Sequence, residues 1–159
     1  MDEILRILQN NARESVEDIA RMVDLPVDDV KAKIAAYEKN GVIRGYQAVI
    51  HEDMAHVDTV TALIEVKVTP ERKNGFDTVA RRVGSFRQVR SLYLVSGTFD
   101  LLLFVEGHTL QEVAAFVSEK LAPLEGVTST CSHFMLKTYK HQGLLMDPPD
   151  EYERLKVTP

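Results

Sequence analysis

The chain is expected to fold as an α+β protein, with three short N-terminal helices followed by a β-α-β-β-α-β unit. Three observations predict this. Residues 2–40 carry apolar side chains at helical spacing, broken by turn signals. From Thr59 onward the apolar period shortens to that of a strand. Residues 89–107, VRSLYLVSGTFDLLLFVEG, hold two apolar runs joined through Ser96-Gly97-Thr98-Phe99-Asp100, which reads as a β-hairpin.

The first helix, over 2–12, places Ile4, Leu5, Leu8 and Ala12 on one face. Ser15 is set to cap a second helix, and Glu17 and Asp18 suit its positive end. Ile19, Met22 and Val23 form that helix's apolar face. Asp24-Leu25-Pro26 breaks it, because Pro26 has no N–H to donate and biases Leu25 away from helical geometry. A third helix runs from about Val27 to Asn40, with Val27, Val30, Ile34 and Tyr37 as its buried stripe. Gly41 is placed to end it with a positive φ. Two short helices meeting at a tight turn match a helix-turn-helix; the same pattern also suits a small helical interaction domain. Residues 42–50 turn extended, as a wing or a strand leading out, which makes the domain winged-helix-like. Residues 51–58, HEDMAHVD, have no period and read as a linker.

In the second unit, Val60, Ala62, Ile64, Val66 and Val68 alternate with Thr61, Leu63, Glu65 and Lys67, and Pro70 stops the strand. Phe76, Val79, Ala80 and Val83 make a helical stripe ending at Gly84. Strands follow over 87–95 and 100–107. Leu110, Val113, Ala114, Val117 and Leu121 make another amphipathic helix capped by Thr109, and a long strand over 127–139 closes the unit. The order is that of a ferredoxin-like sheet with both helices on one face. Its other face needs a cover, because Ala62, Ile64, Val66, Leu101 and Leu103 are too apolar to leave wet. A second copy is the simplest cover, so a homodimer is expected. The expected divisions are 1–50, a linker 51–58, the sheet domain 59–140 and a tail 141–159. Pro148-Pro149 argues against regular structure in the tail, and its leucines favour packing across a partner subunit.

Composition narrows the function classes. The 159 residues are 45% hydrophobic and 27% charged, which suits a soluble globular chain. A net charge of -5 means that any nucleic-acid contact is local. The single cysteine, Cys131, argues against a disulfide framework and a Cys-based zinc site and fits a reducing cytoplasm; it reads as a small core or strand residue. No apolar run reaches spanning length and no membrane partner is expected. The five histidines show no metal-ligand spacing, and no phosphate-binding or dinucleotide-binding glycine pattern occurs. No metal, no cofactor and no catalytic residue is therefore expected.

Two motifs carry a resemblance. Tyr37-Glu38-Lys39-Asn40-Gly41-Val42-Ile43-Arg44-Gly45-Tyr46 and Leu94-Val95-Ser96-Gly97-Thr98-Phe99-Asp100 sit at the right separation to resemble the leucine-responsive regulator/AsnC (Lrp/AsnC) family of feast/famine transcription regulators. The resemblance covers roughly residues 1–140. It implies a DNA-binding regulator whose second domain binds an amino acid or related metabolite between subunits. It also implies dimers that assemble into tetramers, octamers or larger rings.

The candidate DNA contacts are Lys31, Lys33, Lys39, Arg44 and Gln47, on or just after the third helix. The helix departs from the family in carrying Ala35-Ala36 where members commonly carry arginines, and Pro26 where a serine cap is usual. The first fifty residues hold seven Lys/Arg against nine Asp/Glu. The candidate effector site is the Ser96–Asp100 loop. Gly97 lets a ligand approach the backbone, Ser96 and Thr98 offer hydroxyls, and Asp100 matches an α-ammonium. The same residues also suit a plain hairpin turn. By analogy with the family, Thr130 and Ser132 reach this site from a neighbouring subunit. Two other readings stay open: an effector-binding oligomer without DNA binding, and an enzyme like the sirohaem decarboxylases, which resemble this family in architecture.

Overall fold

The computed structural model describes residues 2–52, 54, 55, 58–70 and 75–146. The chain divides between Ile50 and His51 into two compact units.

The first unit holds α1 (Glu3–Asn10), α2 (Val16–Val23) and α3 (Val27–Lys39). Ile4, Ile19, Ala20 and Val30 are buried at its centre, with Ile7, Leu8, Leu25 and Ile34 packed around them. Four of the six helix ends have an identifiable closure. Asp2 accepts the Ile4 N–H at 2.8 Å, and Ser15 accepts the Asp18 N–H at 3.0 Å. Asp24 ends α2 in the left-handed region, with φ 52°. After α3, Gly41 takes φ 69°, and the Val42 and Gly41 amides donate to Tyr37 and Glu38 carbonyls, a Schellman closure. Residues 42–50 form no strand within this chain. A strand needs a ladder partner, and a single copy supplies none. Val42, Tyr46 and Ile50 stay about half exposed there.

Asp2 does more than cap. Its carboxylate takes the Tyr37 hydroxyl and lies 3.5 Å from Lys33 Nζ. The Tyr37 hydrogen bond, then the Ile4 amide, hold its carboxyl below the ordinary value, and the same bond pushes the Tyr37 phenol up. A carboxyl depressed by folding stabilises the native state above its unfolded value; that stabilisation is lost as pH falls through the lower native value. Asp2→Ala should therefore cost about 1 kcal/mol at neutral pH. The gap to wild type should close under acid, as followed by helical circular dichroism.

The second unit is a four-stranded antiparallel sheet in the order β2-β3-β1-β4. The strands are β1 (Val60–Val68), β2 (Val89–Leu94), β3 (Leu101–Gly107) and β4 (Val127–Phe134). Helix α4 (Asp77–Gly84) follows β1. Helix α5 (Leu110–Ala115) follows β3 and runs on as a π-helical turn, Phe116–Leu121. Ala62, Ile64, Val66, Leu101, Leu103 and Val105 are fully buried against Val79, Val83, Val113, Phe116 and Leu121. The expectation that Ala62, Ile64, Val66, Leu101 and Leu103 face an uncovered side is thus corrected, because this parity of both central strands lies under the helices. The open face carries the other parity: Tyr93, Leu102, Glu65 and Cys131 in one row across the sheet, and Ser91, Phe104, Leu63 and His133 in the next.

Three further expectations are revised. The last helix buries Val113 as expected but leaves Leu110 and Ala114 exposed, and it buries Phe116 together with the expected Leu121. Residues five apart sit about 140° from each other on an α-helix. The wider turn, marked by the Ala122 N–H donating to the Val117 carbonyl at 2.8 Å, brings both to the core side. The closing strand ends at Phe134, not at 139. Its partner β1 begins at Val60, and the Met135 amide donating to Thr61 is the last rung. Beyond it, Lys140–His141 and Leu144–Leu145 pair as a short hairpin, β5 and β6, where no structure was expected. The Pro148-Pro149 part of the expected tail lies outside the described residues, as do 53, 56 and 57 of the expected linker.

Candidate functional site

The helix-turn-helix is α2, the Asp24–Pro26 turn and α3. Val30, Ile34 and Tyr37 turn α3 inward, so its outward side is Ala32, Ala35, Ala36 and Lys39, all exposed. Lys31 and Lys33 lie on opposite flanks, roughly 160° apart on the helical period. Lys33 leans back towards Asp2 at 3.5 Å. Arg44 folds over the end of α3, where a Cβ on Gly41 would meet its Nη1 at 3.3 Å. Gln47 is exposed beyond it. The structure thus brings Lys39 and Arg44 to the C-terminal end of α3 and spreads the other two lysines. The segment after α3 is tied back by the Tyr46 hydroxyl, which donates to Glu38 at 2.9 Å. Loss of hydration, then that bond, pushes the Tyr46 phenol up. The sequence carries no signal for this bond, because the chain between Glu38 and Tyr46 leaves the helix at Lys39.

The loop after β2 is exposed at Ser96, Gly97 and Thr98, with Gly97 at φ 152°. A Cβ there would meet nothing within 4 Å, so glycine serves the backbone conformation and not a close packing. Asp100 anchors the loop. Its amide donates to the Val66 carbonyl at 3.0 Å, and its Oδ2 accepts the Val68 amide at 2.8 Å. The carboxylate therefore finishes β1 where the β3 ladder stops. Thr130 pairs with Val66 from the other side, two strand spacings or roughly 10 Å from Leu101. Ser132 sits one row further, opposite Ile64. Both lie on the helix side of edge strand β4, Ser132 exposed and Thr130 half-buried. Within one chain the structure places Asp100 and Thr130 at the same end of the sheet without bringing them into contact.

A cleft of about 470 Å³ opens at the opposite end of β3, among Arg87, Gln88, Arg90, Glu106, His108 and Glu119. Arg90 Nε meets Glu106 Oε2 at 3.0 Å on its wall. It shares no residue with the Ser96–Asp100 loop, and its lining residues are scattered over four segments, which hides it from sequence. Among the described residues no helix is long and apolar enough to cross a membrane.

Both units match known families. Residues 3–38 match the AsnC-type helix-turn-helix domain, and residues 61–145 the Lrp/AsnC ligand-binding domain. The chain is 47% identical over 160 residues to the uncharacterised HTH-type transcriptional regulator YugG of Bacillus subtilis, covering 99% of this chain and 95% of that one. It is 32% identical to the proline dehydrogenase transcriptional activator of Rhodobacter capsulatus, over 88% and 90% of the two chains. A transcriptional regulator from Neisseria meningitidis, solved as a complex with L-Met, superposes with a TM-score of 0.67 at 25% identity, covering 92% of this chain and 97% of that one. A helix-turn-helix with a Schellman-closed α3, a βαββαβ sheet with an Asp-anchored glycine loop, and two family matches in that order agree on one conclusion: the chain belongs to the Lrp/AsnC family of helix-turn-helix transcriptional regulators.

Proposed function

We propose that this regulator binds double-stranded DNA sequence-specifically, in the cytoplasm, and that an amino acid or related small metabolite bound at a subunit interface modulates it. The carrying observation is the exposed Ser96–Thr98 turn held at its base by Asp100. Such a turn offers backbone amides to a carboxylate beside an anionic group for an ammonium. The L-Met complex of the Neisseria relative supports an amino acid as the class. Lys31, Lys39 and Arg44 supply phosphate contacts, Lys33 joins them at the cost of its Asp2 partner, and Gln47 adds a hydrogen bond. Thr130 and Ser132 complete the effector site from a neighbouring subunit. The half-buried Leu63, Leu102 and Phe104 on the open sheet face support a homodimer through that face, which assembles further to a tetramer or octamer. No catalytic residue is assigned.

Asp100→Asn tests the effector site. The amide oxygen of asparagine can still accept the Val68 N–H, so thermal stability should hold within about 1 kcal/mol. The charge that would receive the ammonium is gone, so the change in DNA affinity caused by amino acids should disappear. A response equal to wild type would remove Asp100 from the site. One observation favours a second reading. The outward face of α3 is Ala32, Ala35 and Ala36, with Lys39 as its one cation, in an acidic unit, which suits an effector-binding oligomer without DNA. DNA binding itself decides between them.

A further inference from the structure

On the open face, Glu65 of β1 lies directly opposite Cys131 of β4, and His133 stands two residues along β4 on the same side. Strand alternation therefore aims a carboxylate, a thiol and an imidazole at one point. His133 Nε2 is 3.3 Å from Glu65 Oε1 and 3.5 Å from Cys131 Sγ. All three donor atoms lie within 4.8 Å of one another. We propose that Glu65, Cys131 and His133 bind a divalent transition-metal ion of the zinc type.

The spacing is close to that of a tetrahedral site. Zinc bonds of roughly 2.0 Å to nitrogen or oxygen and 2.3 Å to sulfur place neighbouring ligands about 3.3–3.7 Å apart. Two of the three edges already have that length, and rotation of exposed side chains closes the third. The donor set selects the metal class. A thiolate and an imidazole favour zinc, cobalt or copper, whereas calcium and magnesium want oxygen alone. The charge balance agrees. Glu65 is a half-buried carboxylate on a central strand, beside Leu102 and next to Leu63 and Phe104, and its carboxylate lies against the His133 ring. On binding, Cys131 releases its thiol proton to solvent and the imidazole binds neutral, so the ion's two charges are met by thiolate and carboxylate. Three protein ligands leave the fourth position open, to water or to a group of the second copy that the proposed dimer sets against this face. The single cysteine argued against a Cys-based zinc site; a mixed site needs only one, with the other two ligands supplied by alternation and by a partner strand 66 residues away from Cys131 in sequence.

The test uses the full chain, stripped with a chelator under a non-thiol reductant and titrated with cobalt(II). Expected are a thiolate-to-cobalt charge-transfer band in the near ultraviolet, the visible bands of tetrahedral cobalt, saturation at one ion per chain, and displacement by zinc. Cys131→Ser should abolish the near-ultraviolet band. His133→Gln and Glu65→Gln should each weaken cobalt binding about tenfold or more. All three side chains are on the surface of the sheet, and unchanged circular dichroism confirms the fold of each variant. No charge-transfer band, or a band that titrates in His133→Gln and in Glu65→Gln as it does in the wild-type chain, overturns the site: the cluster is then a His133–Glu65 contact beside a free thiol. The readout is the metal alone, so either result leaves the regulator reading where it stands.

Discussion

Ile64→Ala should destabilise the sheet unit by about 3 kcal/mol, a large part of what holds a domain of this size together. Ile64 is fully buried in the middle of β1, with Leu103 opposite it on β3 and Ser132 on β4. The helices cover it, and Val79, Val83, Val113, Phe116 and Leu121 belong to the same core. Truncation removes three carbons and leaves a cavity that neighbours on both strands cannot close without moving the ladder. The side chain on the other parity, Leu63, is only half-buried in one chain. Leu63→Ala should cost less than half as much when chains are dilute, and its cost should grow with protein concentration if a second copy covers that face. Chemical denaturation at two protein concentrations checks both. Equal losses at Ile64 and Leu63 would contradict the assignment of faces.

Joint replacement of Lys31, Lys39 and Arg44 by glutamine should nearly eliminate DNA binding. A dimer that also used Lys33 would make up to about eight phosphate contacts, for a log–log salt slope near -7; the triple variant would keep about two, for a slope near -2. At physiological salt the affinity should fall about a thousandfold or more. All three side chains are exposed and carry no core packing, so the helical fold should be unaffected. An unchanged slope would show that the cations of α3 do not meet phosphate.

Much of this fold is written in the periodicity of the chain. Ser15 and Gly41 mark helix ends because only a few residue types satisfy orphan amides or take a positive φ. The β-α-β-β-α-β order follows from changes of period alone. What periodicity leaves ambiguous is parity and partnership. Leu101-Leu102-Leu103 is apolar throughout, so nothing in it says which residues meet the helices; the register against Ala62, Ile64 and Val66 decides. The π-helical turn was hidden because Leu110 and Ala114 complete an apparent α-helical stripe while Phe116 falls outside it. Residues 42–50 read as a wing or a strand because strand propensity is local, whereas a strand also needs a neighbour.

The sites show the same division. Gly97 and Asp100 are legible as a turn with ligand-binding chemistry, but that Asp100 also seals the end of β1 depends on Val68, 32 positions away. The pairing of Lys33 with Asp2 joins the two ends of the helical unit and has no local signature. Glu65 with Cys131 and His133 is invisible to any spacing rule, since β-pairing alone brings the strands together.

The central claim is that a helix-turn-helix and an amino-acid-responsive sheet domain act as one device. The most direct test is fluorescence anisotropy of the wild-type chain on the DNA upstream of its own gene, across a salt series, with and without each standard amino acid. Specific binding with a slope near -7, shifted about fivefold or more by at least one amino acid, is the predicted result. Binding no tighter than to a scrambled duplex at low salt, or specific binding that no amino acid alters, would contradict it.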